Sequence, residues 1–276
     1  MSQPPCGEQQ PGAGPVTVSA CAEASATEEA DAGILHVGSV RGAPGNRRPY
    51  RGDKDRIHVW RAALDNAADL RGLLSADELA RAARFHFERD SARFIAMRGV
   101  LRSILGIYTS VPPVQLKFRY AARGKPSLAD NPRDVRFNLS HSHDLALIAV
   151  ALGCELGVDV EYIKDSTAGP EIAERFFSRA EVVALRALPK ALRRDAFFAG
   201  WTRKEAYIKA TGMGLFAELD RFTVSLAPDE PAALLRVAGA AAEASRWSLF
   251  ELNPGEGYAG ALAVEGRDVQ ISCWHW

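Results

Sequence analysis

The chain carries two acidic residues inside an otherwise apolar strand pattern, and this feature restricts its fold more than any other. In the stretch GVDVE, Asp159 and Glu161 alternate with Val158 and Val160. Side chains two positions apart in a strand point to the same face, so the two carboxylates share a face. On a buried strand they require a cation or a proton, and Mg²⁺ binds through such small carboxylate sets together with substrate phosphates. An edge strand whose acids face solvent is the alternative.

A helical pattern supplies a third acid in the stretch FFAGWTRKEAYIKATG. Glu205 falls in an apolar stripe of period three to four, while Arg203 points elsewhere. The apolar members of this stripe are Phe197, Trp201 and Ile208. A carboxylate there is costly unless it is paired or metal-bound. Glu205 could complete the metal site or act as a general base while Lys209 meets a phosphate, or Lys209 could be its ordinary ion-pair partner one turn on.

The first part of the chain supplies candidate anion-binding residues. They are Lys125 in the stretch RGKP, Ser140 and His141 in the stretch FNLSHSHD, and Arg81, Arg84 and Arg93 in predicted helices. Structural roles are the alternative, since RGKP is a common turn and a histidine at a strand end is often a structural residue. The sequence contains neither a Walker loop nor a Rossmann fingerprint. Any phosphate must therefore be bound by side chains of this kind.

Composition bounds the class of protein. The chain has 276 residues, of which 47% are hydrophobic, enough for one sizeable core or two small fused domains. Lysine plus arginine and aspartate plus glutamate both number 34, so net charge favours neither nucleic acid nor an anionic membrane as partner. The four cysteines lack CxxC spacing, which argues against structural zinc. Because the sequence shows neither a membrane-length apolar run nor a signal-peptide pattern, we expect a cytoplasmic protein.

Residues 1–56 are expected to form a disordered tail and a linker. The tail, to about residue 33, is rich in Pro, Gly, Ala, Ser and Glu and cannot bury enough apolar surface to offset the entropy of ordering. Residues 41–56 carry six basic and two acidic residues and are expected to be solvated, although they could touch a phosphate or a partner. The short apolar run ILHVGSV between them is compatible with a strand.

The first folded half is predicted over residues 57–153. It begins with a strand in IHVWRAAL, followed by a helix from the capping box SADE to about residue 87. A second helix starts at Asp90 and ends at a pair of prolines. Alternating apolar residues at 114–120 predict a strand, RGKP a turn, and two further strands flank FNLSHSHD.

The second half, residues 154–276, repeats this order in outline. A strand in ELGVDVEYI is followed by a capping box at Ser178 and Glu181 and by a helix from about Asp195 to Thr211. Strands around FTVSL, WSLFEL, YAGALAV and VQISCWH close the chain. Two fused α+β halves of roughly a hundred residues each are therefore expected, although no residue-level repeat is visible between them.

Four motifs taken in order, RGKP, FNLSHS, GVDVE and WTRKEAYIKATGMGL, resemble the linear signature of the Sfp-type 4'-phosphopantetheinyl transferases. The resemblance covers about residues 57–276. It implies an α+β fold of two similar, pseudo-twofold halves with the active site at their junction, and a monomer. Members of this family use Mg²⁺ and move phosphopantetheine from coenzyme A to a serine of an acyl or peptidyl carrier protein, releasing 3',5'-ADP.

The resemblance also implies roles for individual residues. Magnesium-binding acids of the family match Asp159, Glu161 and Glu205; Glu205 also matches the proposed base, and Lys209 the lysine that contacts the phosphate. Residues that contact coenzyme A match Lys125 and Pro126 at the adenine side, and Asn138, Ser140 and His141 at the ribose-phosphate end, together with Asp159 and Lys209. Arg81 and Arg93 match positions of basic residues that reach the 3'-phosphate.

Two departures and two alternatives accompany the resemblance. The N-terminal tail is not part of the family core, and His143 stands where many relatives carry glycine. The expected partners are coenzyme A and an apo carrier protein, with neither nucleic acid nor membrane. A non-catalytic module that binds coenzyme A or a carrier is one alternative, and an unrelated magnesium-dependent phosphohydrolase is the other.

Overall fold

A computed structural model describes residues 34–36, 56–65, 69–164, 170–214 and 218–276 of the chain. The expected tail at 1–33 and most of the linker lie outside the described residues. Within the run ILHVGSV, residues 34–36 form a strand, as its apolar character allows. Within the described ranges, no helix combines the length and the apolar character that crossing a membrane requires.

Along the described chain, groups of strands are separated by groups of helices. The strands are β1 Ile34–His36, β2 Arg56–Ala63, β3 Phe118–Tyr120, β4 Pro126–Leu128, β5 Val135–Ser142, β6 Leu145–Leu152, β7 Leu156–Tyr162, β8 Phe222–Val224, β9 Leu234–Val237, β10 Trp247–Asn253, β11 Tyr258–Glu265 and β12 Gln270–His275. The α-helices are α1 Ala76–Ala82, α2 Glu88–Thr109, α3 Pro170–Phe176, α4 Arg179–Ala187, α5 Lys190–Thr211 and α6 Glu243–Arg246.

Two four-stranded sheets with related topology organise these elements. The first has the order β12-β2-β6-β5 and the second the order β1-β10-β11-β7. In each, three strands from one half pair antiparallel, and the outer strand, β12 or β1, pairs parallel. Each sheet is accompanied by a long helix, α2 or α5, and by a small hairpin, β3-β4 or β8-β9. The prediction of two similar α+β halves is therefore confirmed.

The ends of the chain are exchanged between the halves. The predicted division at residues 153 and 154 falls between β6 and β7, but β12 crosses it and pairs with β2 in the first sheet. In the same way β1 pairs with β10 in the second sheet. Each exchanged strand covers an edge that would otherwise leave backbone groups unpaired.

The sequence of β6, LALIAVAL, shows how the layers are built, because the strand is buried along its whole length. Ile148 and Val150 pack toward α2. On the opposite face Leu147 and Ala149 join a core cluster that includes residues from β7 and β11 of the second sheet. A strand with helix on one face and sheet on the other needs apolar residues at every position. The two sheets thus pack against each other, and the long helices lie outside.

The two sheets meet edge to edge at β5 and β7, where side chains take the place of a backbone ladder. Asn138 Oδ1 accepts a hydrogen bond from the backbone N–H of Val158 at 2.9 Å. Ser142 Oγ accepts one from the backbone N–H of Tyr162 at 3.0 Å. Strand β7 is the end strand of its own sheet, but β5 covers its free edge and Asp159 is 3% exposed, so the alternative in which its acids face solvent is wrong.

Several predicted boundaries differ from the structure. Helix α1 ends at Ala82 rather than near residue 87, and α5 begins at Lys190 rather than near Asp195. The strand predicted over residues 114–120 is limited to β3, because the Arg102 guanidinium binds the carbonyls of Pro113 and Leu116 and holds a 3₁₀ turn there. Alternation of apolar residues cannot reveal such a distant contact.

Both halves contain a capping-box glutamate that pairs with a buried cation of the long helix. Glu78 of α1 accepts hydrogen bonds from Arg98 Nε at 2.6 Å and Arg102 Nε at 2.7 Å. Burial acts against its ionisation, but the two guanidinium groups hold the pKa of Glu78 below its ordinary value. In the second half, Glu181 accepts from Lys204 Nζ at 2.8 Å, with side chains 1% and 0% exposed. Burial lowers the pKa of Lys204.

We expect Glu181→Gln to destabilise the protein by about 3 kcal/mol, because it leaves the Lys204 ammonium buried without its counter-charge. The matched control is Glu174→Gln, which removes an exposed ion pair with Arg186 and should cost less than about 1 kcal/mol. Urea unfolding followed by circular dichroism measures both. Equal costs for the two variants would contradict a structural role for the buried pair.

Candidate active site

A glycine in β7 allows α5 to lie directly on the strand. A Cβ atom at Gly157 would lie 2.1 Å from the carbonyl oxygen of Ala206 and 2.4 Å from the backbone nitrogen of Ala210, so only glycine fits there. Because side chains alternate, Asp159 and Glu161 share this face of β7. The helix in turn brings Glu205 and Lys209 against them. Gly157 therefore brings together the four residues that the sequence singles out.

Asp159 is at the centre of this cluster and is 3% exposed. Its Oδ1 accepts hydrogen bonds from Lys209 Nζ at 2.6 Å and from Ser140 Oγ at 2.8 Å. Lys209 Nζ also donates to Ser140 Oγ at 2.8 Å. The other oxygen, Oδ2, is buried and has no hydrogen-bond partner within the described part of the chain. Buried polar atoms are nearly always paired, so the unpaired Oδ2 is a candidate metal-ligand atom.

The negative charge of Asp159 acts on both Glu161 and Glu205. Burial and then the Asp159 charge raise the pKa of Glu161, whose Oε2 accepts a hydrogen bond from Ser142 Oγ at 3.0 Å. Burial and then Asp159 likewise raise the pKa of Glu205, while Lys209 acts in the opposite direction. The described residues nevertheless include no ready-made group of three or more His, Cys, Asp or Glu side chains that could hold a metal ion.

The contacts of α5 decide between two alternatives left by the sequence. Lys209 pairs with Asp159 and Ser140 on the neighbouring strands rather than serving as a simple one-turn partner of Glu205. Arg203 points away from the stripe that carries Glu205, as predicted, but into the protein rather than into solvent. Its side chain is 1% exposed and binds the Ser225 carbonyl at 2.7 Å and Glu251 at 2.5 Å. The helix is buried on two sides because β8 and β10 cover the face opposite the cluster.

Two neighbouring cavities lie beside the cluster and share lining residues. A cavity of about 240 Å³ lies between α5 and the turn before β4, with Glu205, Lys209 and Pro126 in its walls. A groove of about 660 Å³ follows, lined by basic side chains that include Arg81 and Arg93. Pro126, Gly124 and Leu139 line both. A long phosphorylated ligand can therefore extend from the acids into the groove.

The predicted anion-binding residues divide into two groups. Arg81, Arg93 and His141 line the groove, whereas Arg84 lies on the exposed turn after α1. Arg93 is held by a bidentate ion pair with Asp65, through Nε at 2.5 Å and Nη2 at 2.7 Å. Burial, with the charges of Lys209 and Arg93, lowers the pKa of His141, so its ring is neutral at neutral pH.

The second group uses its polar atoms within the protein. The Asn138 side chain binds the backbone of β7, and Ser140 Oγ bridges Asp159 and Lys209. Lys125 Nζ donates to Glu155 Oε2 and to the carbonyl of Ala210, both at 2.7 Å. The expected contacts of these residues with a ligand remain a prediction.

The sequence of this chain is similar to those of known proteins. Residues 155–263 match the family described as the 4'-phosphopantetheinyl transferase superfamily, and residues 58–152 match the N-terminal 4'-phosphopantetheinyl transferase family. The 4'-phosphopantetheinyl transferase HetI of Nostoc sp. is 45% identical over 228 residues, which are 80% of this chain and 93% of HetI. The chain belongs to the 4'-phosphopantetheinyl transferase superfamily.

More distant relatives cover less of the chain. The 4'-phosphopantetheinyl transferase Sfp of Bacillus subtilis is 33% identical over 156 residues, covering 56% of this chain and 68% of Sfp. The human L-aminoadipate-semialdehyde dehydrogenase-phosphopantetheinyl transferase is 32% identical over 167 residues, covering 56% of this chain and 53% of the human protein. Membership in the superfamily confirms the resemblance inferred from the four motifs.

Some residues that line the two cavities were not singled out by the sequence analysis. Arg98 and Lys164 line the basic groove, and Arg123 and Gly214 line the smaller cavity. Gly212, which also lines the smaller cavity, had a usable signal, because a glycine directly after a helical pattern is typical of a helix C-terminus. The others stand in loops or on buried helix faces, where sequence spacing carries no information on the groove.

We expect Glu205→Gln to stabilise the metal-free protein at neutral pH. Because the pKa of Glu205 is raised in the folded state, ionisation of its carboxyl group disfavours folding, and its contribution to stability falls as pH rises through that pKa. The gain should disappear at a pH below the ordinary range of glutamate, about 4. Urea unfolding in the presence of a chelator, at several pH values, measures it.

The control for this prediction is Glu251→Gln. Glu251 neutralises the buried Arg203, so its loss should destabilise the protein at neutral pH. If Glu205→Gln destabilised the protein as much as Glu251→Gln, the assignment of Glu205 as an acid without an ion-pair partner among the described residues would be wrong.

Proposed function

We propose that the chain transfers the 4'-phosphopantetheine group of coenzyme A to a serine of an apo acyl or peptidyl carrier protein and releases 3',5'-ADP. The observation that carries the proposal is the ion pair between the buried Asp159 and the partly exposed Lys209, which lies with Glu205 beside a cavity between the two halves. The names of the relatives, HetI and Sfp among them, support the same reaction.

Mg²⁺ is part of this proposal, and the residues present fit it. Asp159 Oδ2 is a buried oxygen with no partner among the described residues, and the pKa values of Glu161 and Glu205 show two more carboxylates in its field. Mg²⁺ usually keeps several waters and binds substrate phosphates in addition to a few protein carboxylates, so a ready-made protein cage is not required. Asp159, Glu161 and Glu205 would hold the ion, which would neutralise charge on the pyrophosphate of coenzyme A.

The reaction itself requires charge neutralisation and a base. The carrier serine oxygen forms a bond to the phosphorus of phosphopantetheine, and the bond from that phosphorus to 3',5'-ADP breaks. Glu205 accepts the serine proton, directly or through a water, and its raised pKa suits a general base near neutral pH. Lys209 places a positive charge beside the phosphate that leaves.

The groove of the first half would hold the remainder of coenzyme A. Its basic side chains face an open volume of about 660 Å³, and Arg81 extends into it from α1 while its guanidinium lies over the ring of Phe94. Arg93 shares its charge with Asp65, so Arg81 is the more available cation for the 3'-phosphate. His141, neutral at neutral pH, would act there as a hydrogen-bond donor rather than as a charge.

One incubation separates this proposal from its alternatives. The protein is mixed with coenzyme A, Mg²⁺ and an apo carrier protein, and the carrier is weighed by mass spectrometry. A transferase adds the mass of phosphopantetheine to the carrier serine. A binding module leaves both coenzyme A and carrier unchanged, and a phosphohydrolase cleaves a phosphate without modifying the carrier.

We expect Glu205→Gln and Lys209→Met to lower kcat by about a hundredfold or more, because they remove the base and the charge beside the leaving phosphate. Initial rates of carrier modification at saturating coenzyme A provide the measurement. Glu174→Gln, on the exposed face of α3, is the matched control and should keep the wild-type rate. A wild-type kcat in Glu205→Gln would exclude Glu205 as the base.

His141→Gln should raise KM for coenzyme A by about tenfold with little change in kcat, because a hydrogen bond to a charged phosphate is lost. His86→Gln is the control, since His86 is exposed and its ring packs on Phe87 rather than facing the groove. The contact assigned to His141 fails if both variants keep the wild-type KM.

A further inference from the structure

The turn between β3 and β4 reaches from the first half to the end of α5 in the second half. Arg123 Nη1 donates to the carbonyl of Met213 at 2.7 Å. Lys125 Nζ donates to the carbonyl of Ala210 at 2.7 Å. Two cations of this turn therefore bind one carbonyl in the last turn of α5 and one just after the helix. We call these two contacts, together with the Lys125–Glu155 ion pair, the clamp.

Helix chemistry explains why cations bind here. The last carbonyl groups of an α-helix lack partners within the helix and carry a negative partial charge. After Thr211 the chain turns through Gly212 and Gly214, both with positive φ. A Cβ atom at Gly214 would lie 3.1 Å from Cβ of Arg123, so glycine permits the close approach of the two turns. The clamp satisfies carbonyls that would otherwise need water.

Glu155 is a further partner of the Lys125 ammonium group. It stands between β6 and β7, at the junction of the two halves, and its Oε2 accepts from Lys125 Nζ at 2.7 Å. Its Oε1 is held by Arg136. The Lys125 side chain is 20% exposed, and two of the three hydrogens of its ammonium are used by protein oxygens. The ammonium therefore does not point freely at a ligand.

The position of Lys125 gives the clamp a consequence for the active site. Lys125 lies in the wall between the 240 Å³ cavity and a separate cavity of about 410 Å³ whose lining includes Glu155 and Arg136. The opposite wall of the smaller cavity contains Glu205 and Lys209. The distance between the turn and α5, and hence the width of this cavity, is set by the contacts of the clamp.

We propose that Lys125 and Glu155 are positioning residues, which hold the β3–β4 turn on α5 and so fix the shape of the coenzyme A site without the lysine ammonium contacting coenzyme A. This inference rests on the proposed function. It replaces the ligand contact that the family resemblance suggests for Lys125 by a link between the two halves.

A double-mutant cycle tests the inference. Lys125→Met, Glu155→Ala and the double variant are compared for KM of coenzyme A, KM of the carrier, and kcat. Each single variant should raise KM for coenzyme A by about tenfold, while kcat stays within roughly twofold of wild type. Because both substitutions break the same Lys125–Glu155 ion pair, the double variant should be no worse than Lys125→Met alone.

The control variant is Arg136→Gln, which removes the other partner of Glu155 and leaves the clamp in place. Its KM for coenzyme A should equal that of the wild type. If Lys125→Met raised KM while Glu155→Ala did not, or if the two effects simply multiplied, Lys125 would be a direct ligand contact and the inference would be overturned.

Two further measurements cover the cases in which Lys125→Met does not fold or the wild-type protein modifies no carrier. If Lys125→Met does not fold, Arg123→Met breaks the same clamp at Met213 and should give the same rise in KM with an unchanged carrier KM. If the wild-type protein modifies no carrier, the proposed function fails. The clamp is then judged by calorimetric Kd values for coenzyme A in the same set of variants, where equal Kd values would refute it.

Discussion

The contact of α5 with β7 at Gly157 determines where every candidate catalytic group lies. It brings a helix backbone onto a strand at a distance that a single methyl group would prevent. The helix then covers the face of β7 that carries Asp159, which is 3% exposed, and the side chains of α5 that point toward the strand are in direct reach of it. Lys209 can pair with Asp159 at 2.6 Å only because the two backbones are this close.

Two buried acids of the second half, Glu181 and Asp159, differ in how their oxygens are bound. Glu181 has both oxygens occupied, since Oε1 accepts from Lys204 and from the backbone of Val224, and Oε2 accepts from the backbone of Ser178. Asp159 has two donors on one oxygen and none from the described residues on the other. An unpaired buried oxygen lowers stability, and such features persist where function requires them.

The sequence allowed the main elements and the shared face of the acids to be predicted, because both depend on local periodicity. Alternation in GVDVE placed Asp159 and Glu161 together on one face of β7. The burial of Arg203 was not predictable, since it depends on Glu251 and Ser225, which lie 48 and 22 positions away. The partners of Lys125, Glu155 and Ala210, are likewise 30 and 85 positions away. No periodic pattern encodes contacts of that range.

The catalytic candidates all lie in the second half, yet the first half is needed to define their environment. Strand β5 supplies Ser140, which donates to Asp159 and accepts from Lys209, and Asn138, which satisfies the backbone of β7. Without β5, that edge of β7 would be open to water, and hydration would weaken the mutual influence of the carboxylates, because charges interact more strongly in a low dielectric. The exchange of β1 and β12 between the sheets then ties the two halves together at their outer edges as well. The electrostatics of the site therefore depend on the contact between β5 and β7, where the two sheets meet. Each of these sheets is completed by a strand from the opposite end of the chain.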